Sequence, residues 1–209
     1  MQEIIIEIME KFGYIGIMLL IAIENIFPPI PSEVILTFGG FATIGTSMEP
    51  LLVILFATIG ALIGAIALYF IGKILNKERL FKIADSKVGK ILRLKRKDIE
   101  MADGWFEKRG SAAVFFGRCI PIVRSLISIP AGMSEMAFGK FLLLTTLGTV
   151  IWNTVLVYLG VFMGDKWETI VEIIDKYSKV VLVLLIIVFI GAVIWFYRSR
   201  MKKDKKKNK

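Results

Sequence analysis

The sequence contains no histidine. That absence excludes Ser-His-Asp hydrolysis, histidine-ligated zinc and the phospho-histidine phosphatases that act on membrane lipids. A single cysteine, Cys119, leaves no intramolecular disulfide and no thiolate cluster for a metal, so neither a metal nor another cofactor is expected. The N-terminus lacks the basic n-region and small-residue cleavage site of a signal peptide, so nothing is expected to be removed. Charge is also missing from long stretches. What charge there is lies mostly in two basic runs.

What fills those stretches is hydrocarbon. Of 209 residues, 56% are hydrophobic and the mean hydropathy is +0.71, which points to an integral membrane protein with one membrane domain in residues 1–197. The net charge of +9 does not point to nucleic acid in so apolar a chain. From Lys73 to Arg109 there are twelve Lys/Arg against six Asp/Glu, and from Arg198 to Lys209 eight against one. Both runs read as cytoplasmic by the positive-inside rule. Residues 164–179, with four acids and three bases, are not drawn inside; Glu168, Glu172 and Asp175 opposite Ile170, Val171, Ile173 and Ile174 suit an interfacial helix.

Two full spans are legible, Leu51–Gly72 and Phe141–Phe162, followed by a last one over 180–197 and a basic cytoplasmic tail over 198–209. Gly60 and Gly64 stand in a G-x-x-x-G spacing that suits close helix packing. Before each of the two full spans lies an apolar arm too short to cross. The first, of about fifteen residues, is ~22 Å long against a core of ~30 Å. The reading is a repeat 1 over about 12–73, a basic cytoplasmic segment over 74–110 and a repeat 2 over about 111–164. Each repeat is a short arm, a proline break, a return arm and a full span. The tail and the basic segment fix the topology: the first broken element opens outside and the second inside. The expected fold class is therefore all-α integral membrane, an inverted repeat of re-entrant broken helix plus transmembrane helix with an extra C-terminal span.

The breaks carry the chemistry. The first reads E-N-I-F-P-P-I-P-S-E over Glu24–Glu33, with Pro28, Pro29 and Pro31. The second reads F-G-R-C-I-P-I-V-R-S-L-I-S-I-P over Phe116–Pro130, with Pro121 and Pro130. Each Pro removes a backbone donor and blocks helix continuation. Glu24, Glu33, Arg118 and Arg124 would each cost ~3 kcal/mol at the bilayer centre, so they must be met by one another, by water or by a ligand. A planar guanidinium suits phosphate, and Arg118 and Arg124 are the expected binding pair. A carboxylate at membrane depth suits proton carriage, which assigns Glu24 and Glu33 to coupling and to the substrate site. Asn153 and Trp152 sit mid-span; Asn153 is equally consistent with a helix–helix hydrogen bond and with a ligand contact. Cys119 reads as a small packing residue.

These residues resemble the DedA family of bacterial membrane proteins. The resemblance runs from about Gly13 to Gly164 and rests on E-N-I-F-P-P-I-P-S-E, on Phe115, Arg118, Pro121 and Arg124 in F-x-x-R-x-x-P-x-x-R, on P-A-G-M-S and on W-N with Y-L-G. It implies a multi-pass protein of the bacterial cytoplasmic membrane. Its implied partner is a membrane lipid with a phosphate head group, carried with dependence on the proton gradient: undecaprenyl phosphate in one branch, phosphatidylethanolamine in another. Some relatives carry an Asp further along the first return arm, where this chain has Leu36-Thr37-Phe38-Gly39-Gly40. The expected activity is lipid-phosphate translocation without bond cleavage, the C-terminus cytoplasmic and a homo-oligomer an open alternative to a monomer. The rivals are a phosphatidylethanolamine flippase, a lipid phosphatase and a membrane-organising protein.

Overall fold

The structure is a computed structural model that describes residues 2–27, 32–86, 96–121, 123–166, 169, 172–173, 176–177, 179–184, 186–187 and 190–191. Among them every regular element is helical. Pro28, Pro29 and Pro31, half of the last expected span and the basic tail lie outside the described residues.

Helix α1 (Gln2–Ile26) is bent at Gly13, where φ is 54° and ψ is −129°. Glycine alone adopts such a conformation at little cost, so the apolar portion that follows is only ~20 Å long. Helix α2 (Ser32–Gly45) is equally short. Tyr14, just past the bend, accepts a hydrogen bond from the Glu49 N–H at 2.7 Å and ties the loop after α2 to α1. Helix α3 (Pro50–Ile74) starts with proline in its first turn, where no N–H is needed. It and a later helix, α8 (Phe138–Met163), are long and apolar enough to cross a membrane. Both match the expected spans to within a turn.

Between them come α4 (Lys77–Asp85) and α5 (Arg96–Gly117). The expected boundary between a basic segment ending at residue 110 and an apolar arm beginning at Ser111 is not an element boundary. One helix carries the chain through it, because the stretch holds no proline and a lone Gly110 only weakens a helix. After α5 the chain makes α6 (Val123–Leu126) and α7 (Ser128–Met133). An interruption at Pro130 is expected from the sequence; Pro130 stands third in α7, and the division between α6 and α7 falls at Ile127, three residues before it. Even there the backbone stays right-handed, with φ −62° and ψ −21°. A 3-10 turn, Gly164–Lys166, follows α8.

The packing is reciprocal. α1 lies on α3 and α5 on α8, while α2 lies on α8 and α7 on α3. Glycines let the backbones touch: a Cβ at Gly40 would strike the Val157 carbonyl, one at Gly160 that of Thr37, one at Gly72 that of Ile129 and one at Gly132 that of Tyr69. Gly60 of the G-x-x-x-G pattern meets the Met18 carbonyl of α1 in the same way, and Gly64 meets the Asn25 side chain and the Ala22 carbonyl. An aromatic centre forms where Tyr69 stacks on Phe141 with ring centroids 4.6 Å apart and donates its hydroxyl to the Met136 carbonyl at 2.5 Å.

Polarity is arranged inside out. Glu24, Asn25, Arg118, Arg124 and Asn153 are buried, whereas Leu19, Leu55, Ile63, Leu143 and Leu147 face outward. A soluble domain would reverse that order, and a bundle with charge inside and aliphatic side chains outside is solvated by lipid. The chain divides into two compact units, residues 1–171 and 172–209; the described residues of the second are helical, with Val180, Val183, Leu184 and Ile187 exposed.

Candidate functional site

Three consecutive local events build the site. The last turn of α1 presents Glu24 and Asn25, which point about 100° apart around the helix. At the end of α5 the helix tightens, with Cys119 N–H bonded to Phe116 O at 3.0 Å and Ile120 N–H to Gly117 O at 3.2 Å. Pro121 then interrupts the ladder, and the chain turns through a Val123 N–H bond to Pro121 O at 2.8 Å before helical bonding resumes at Arg124. The interruption leaves Arg118 on one side and Arg124 on the other.

The two arginines find different partners. Arg124 Nη2 donates to Glu24 Oε2 at 2.5 Å, and both side chains are 6% exposed. Ser125 Oγ donates to the other carboxylate oxygen at 3.5 Å. Arg118 has no ion pair among the described residues. Its Nη2 donates to Ser128 Oγ at 2.7 Å and, weakly, to Thr145 Oγ1 at 3.4 Å, and its Nε is buried without a partner. Arg118 still feels the repulsion of Arg124 and the attraction of Glu24, so the three form one electrostatic cluster. The stem of Arg118 lies over Gly148 of α8, where any side chain would collide with it.

Glu33 is half-buried in the first turn of α2, close enough to Glu24 for the two carboxylates to repel. Its carboxylate has no hydrogen bond or ion pair among the described residues. Asn153 is fully buried and donates from Nδ2 to Thr58 Oγ1 of α3 at 3.1 Å, while its Oδ1 has no partner. Asn25 does much the same one turn along α3, donating to Ala61 O at 2.8 Å with Oδ1 unpartnered. Trp152 Nε1 is also buried without a partner among the described residues. Thus Glu24, Arg118 and Arg124 are brought together, Glu33 flanks them, and Asn153 is tied to Thr58. Among the described residues no three Cys, Asp or Glu side chains gather as a metal site.

Sequence reasoning misses Ser125, Ser128, Thr145 and Asn25. Their signal is spacing: Arg124 and Ser128 stand four apart on one helical face, in a segment where every other position but Ser125 is apolar.

A match to the VTT domain covers residues 30–162. A protein of Lactococcus lactis subsp. lactis (strain IL1403) named alkaline phosphatase-like protein is 57% identical over 96% of this chain and 94% of its own length. Undecaprenyl phosphate transporter A of Staphylococcus aureus (strain NCTC 8325 / PS 47) is 39% identical over 99% of both chains, and its namesake in Bacillus subtilis (strain 168) is 36% identical over 85% of both. No solved structure matches the chain. With the domain match over more than half the sequence and relatives aligned end to end, the chain belongs to the DedA family of VTT-domain membrane proteins.

Proposed function

We propose that the protein translocates a lipid phosphate, undecaprenyl phosphate, across the bacterial cytoplasmic membrane and so returns the cell-wall carrier to the inner face. The observation that carries this reading is Arg118: a buried guanidinium with a free Nε–H and no acidic partner among the described residues, inside a bundle whose outer surface is aliphatic. Such a group needs an anion. The names of the staphylococcal and bacillar relatives supply the lipid.

The site works as an exchange of partners. Glu24 holds Arg124 while it is ionised, and protonation of its carboxylate releases the guanidinium to an incoming phosphate. Both arginines then face the head group, the isoprenoid tail stays in lipid, and loss of the proton re-forms the Glu24–Arg124 pair and expels the phosphate. Glu33, beside Glu24, is the second carboxylate of the relay. Trp152 and Asn153 line the path, each with one unpartnered polar atom.

Alternating access comes from an inverted repeat of two re-entrant elements, one opening outside and one inside, with the C-terminus cytoplasmic. Two features support it. The return arm of each half lies on the long helix of the other half, and Gly60 and Gly72 of α3 repeat, 88 residues later, as Gly148 and Gly160 of α8. The phosphatase-like name of the lactococcal relative motivates one rival, cleavage of the phosphate ester. Liposomes holding the purified protein separate the readings. An inward acid-to-neutral pH gradient accelerates translocation of undecaprenyl phosphate over phosphatidylethanolamine and releases no inorganic phosphate. Translocation that ignores the gradient sinks the coupling, equal rates for the two lipids sink the substrate, and phosphate release sinks the transporter.

A further inference from the structure

Around Arg118 the donors outnumber the acceptors. In its bonds to Ser128 and Thr145 the guanidinium donates and each hydroxyl accepts, so both hydroxyl protons remain. A helical hydroxyl normally places that proton on a carbonyl one turn back, as Thr146 does on Leu142 O at 2.8 Å and Thr37 on Glu33 O at 2.6 Å. Ser128 and Thr145 donate to no acceptor among the described residues, and both are 0% exposed. The end of α5, the start of α7 and the first half of α8 thus gather one guanidinium Nε–H and two hydroxyl protons with no acceptor for any of them among the described residues. Glu24 does not fill that need: its carboxylate bonds with Arg124 and Ser125, and no hydrogen bond joins it to Arg118, Ser128 or Thr145 among the described residues.

An acceptor-only, multi-oxygen anion complements three such donors beside a guanidinium charge. We propose that Arg118, Ser128 and Thr145 form the seat of the phosphate, while Glu24, Arg124 and Ser125 form an adjacent switch. This rests on the lipid-phosphate reading and divides its residues into two jobs. The seat is loaded first by Arg118 and the hydroxyls; the switch closes on the phosphate only after Glu24 lets Arg124 go. Ser128 and Thr145 are binding residues, and their hydroxyls accept from Arg118 while donating their own protons to phosphate oxygens.

The test is direct binding to the full-length protein in detergent, with farnesyl phosphate, farnesol and inorganic phosphate as probes. Thr145→Val removes the hydroxyl at nearly constant volume and Thr145→Ser keeps it, so this pair isolates the donor; Ser128→Ala is the companion. Thr145→Val and Ser128→Ala are expected to weaken farnesyl phosphate about ten-fold or more, the loss of one hydrogen bond to a charged group, with farnesol unaffected and Thr145→Ser near the parent. If Thr145→Val binds within two-fold of Thr145→Ser while Arg118→Lys loses farnesyl phosphate, the seat is overturned and the lipid-phosphate reading stands. If the parent binds inorganic phosphate as tightly as farnesyl phosphate, the seat stands and the lipid is overturned. Equal affinity for farnesol and farnesyl phosphate overturns both.

Discussion

Glu24 and Arg124 stand one hundred residues apart in sequence and meet 2.5 Å apart in the buried centre of the bundle. Removing one member of such a pair leaves the other charged in a site that cannot solvate it. Glu24→Gln is therefore expected to destabilise the protein by ~3–5 kcal/mol, and the matched Glu24→Gln/Arg124→Gln variant to recover most of that loss. Thermal melting in detergent reads the first half of the claim and liposome transport the second. The matched variant folds but does not transport. Full transport by that variant would leave the pair a structural clasp and nothing more.

Replacing either arginine by lysine keeps the charge and removes the fork. Lysine offers one compact ammonium, which cannot serve Ser128 and an incoming oxyanion in the geometry that Nη2 and Nε provide together. Arg118→Lys and Arg124→Lys should each lose about 10- to 100-fold in transport, the equivalent of one charge-assisted hydrogen bond, with melting little changed. Wild-type transport in both variants would remove phosphate clamping as the mechanism.

The long helices and the break at Pro121 are legible in the sequence because their causes are local. Length and apolarity fix α3 and α8, and proline fixes the interruption between Arg118 and Arg124. The small residues Gly60 and Gly64 likewise announce close packing, and they do pack on α1. What the sequence does not carry is pairing across the chain. Four charges permit two Glu–Arg pairings, and only tertiary placement decides that Glu24 takes Arg124 while Arg118 is left to hydroxyls. Ser128 and Thr145 are equally silent: an isolated serine or threonine in an apolar helix is ordinarily satisfied by its own backbone. Nor does composition reveal that α5 runs unbroken from the charged segment into the apolar arm, since charge changes along a helix without ending it.

Close approach at the crossed contacts makes a prediction that needs no ligand. Gly132→Ala and Gly160→Ala place a methyl group into a facing backbone carbonyl, which cannot move aside as a side chain can. Each is expected to destabilise by ~1–3 kcal/mol or more, seen as a lowered melting temperature. Gly139→Ala, in the first turn of α8 where an added Cβ meets nothing within 4 Å, is the control and should melt as the parent does. Equal melting of Gly160→Ala and Gly139→Ala would mean that α2 and α8 do not touch as described.

On the basic segment, Lys77 and Asp103 form a partly exposed bridge at 2.9 Å at the rim of an apolar cavity of about 280 Å³ lined by Leu80, Ile99, Phe106, Pro130 and Met133. The hydrogen bond and charge of Asp103 hold the Lys77 amine above the ordinary lysine range. A cation whose pKa rises on folding stabilises fully below its unfolded value and loses that contribution only as pH climbs past the folded one. Protease cleavage within α4 should therefore be indifferent to pH from 6 to 9, and faster in high salt or in Asp103→Asn, since an exposed pair is screened. Cleavage that accelerates between pH 6 and 9 would assign the contact between α4 and α5 to some other titrating group.

Asn153 can be assigned by asking which substitution harms what. In the Thr58→Val variant the buried amide loses its one partner and both of its polar ends are stranded, at a cost of about 1–3 kcal/mol. Asn153→Leu removes both ends of the amide at once and leaves only the Thr58 hydroxyl, which can turn to a carbonyl of its own helix, so it should be the milder change for stability. If Asn153 merely ties α8 to α3, transport per folded molecule follows stability, and Thr58→Val is the worse variant in both assays. If its free Oδ1 contacts the moving head group, the order reverses in transport alone. The proposed role in lining the path requires that reversal: Asn153→Leu melting above Thr58→Val yet transporting less.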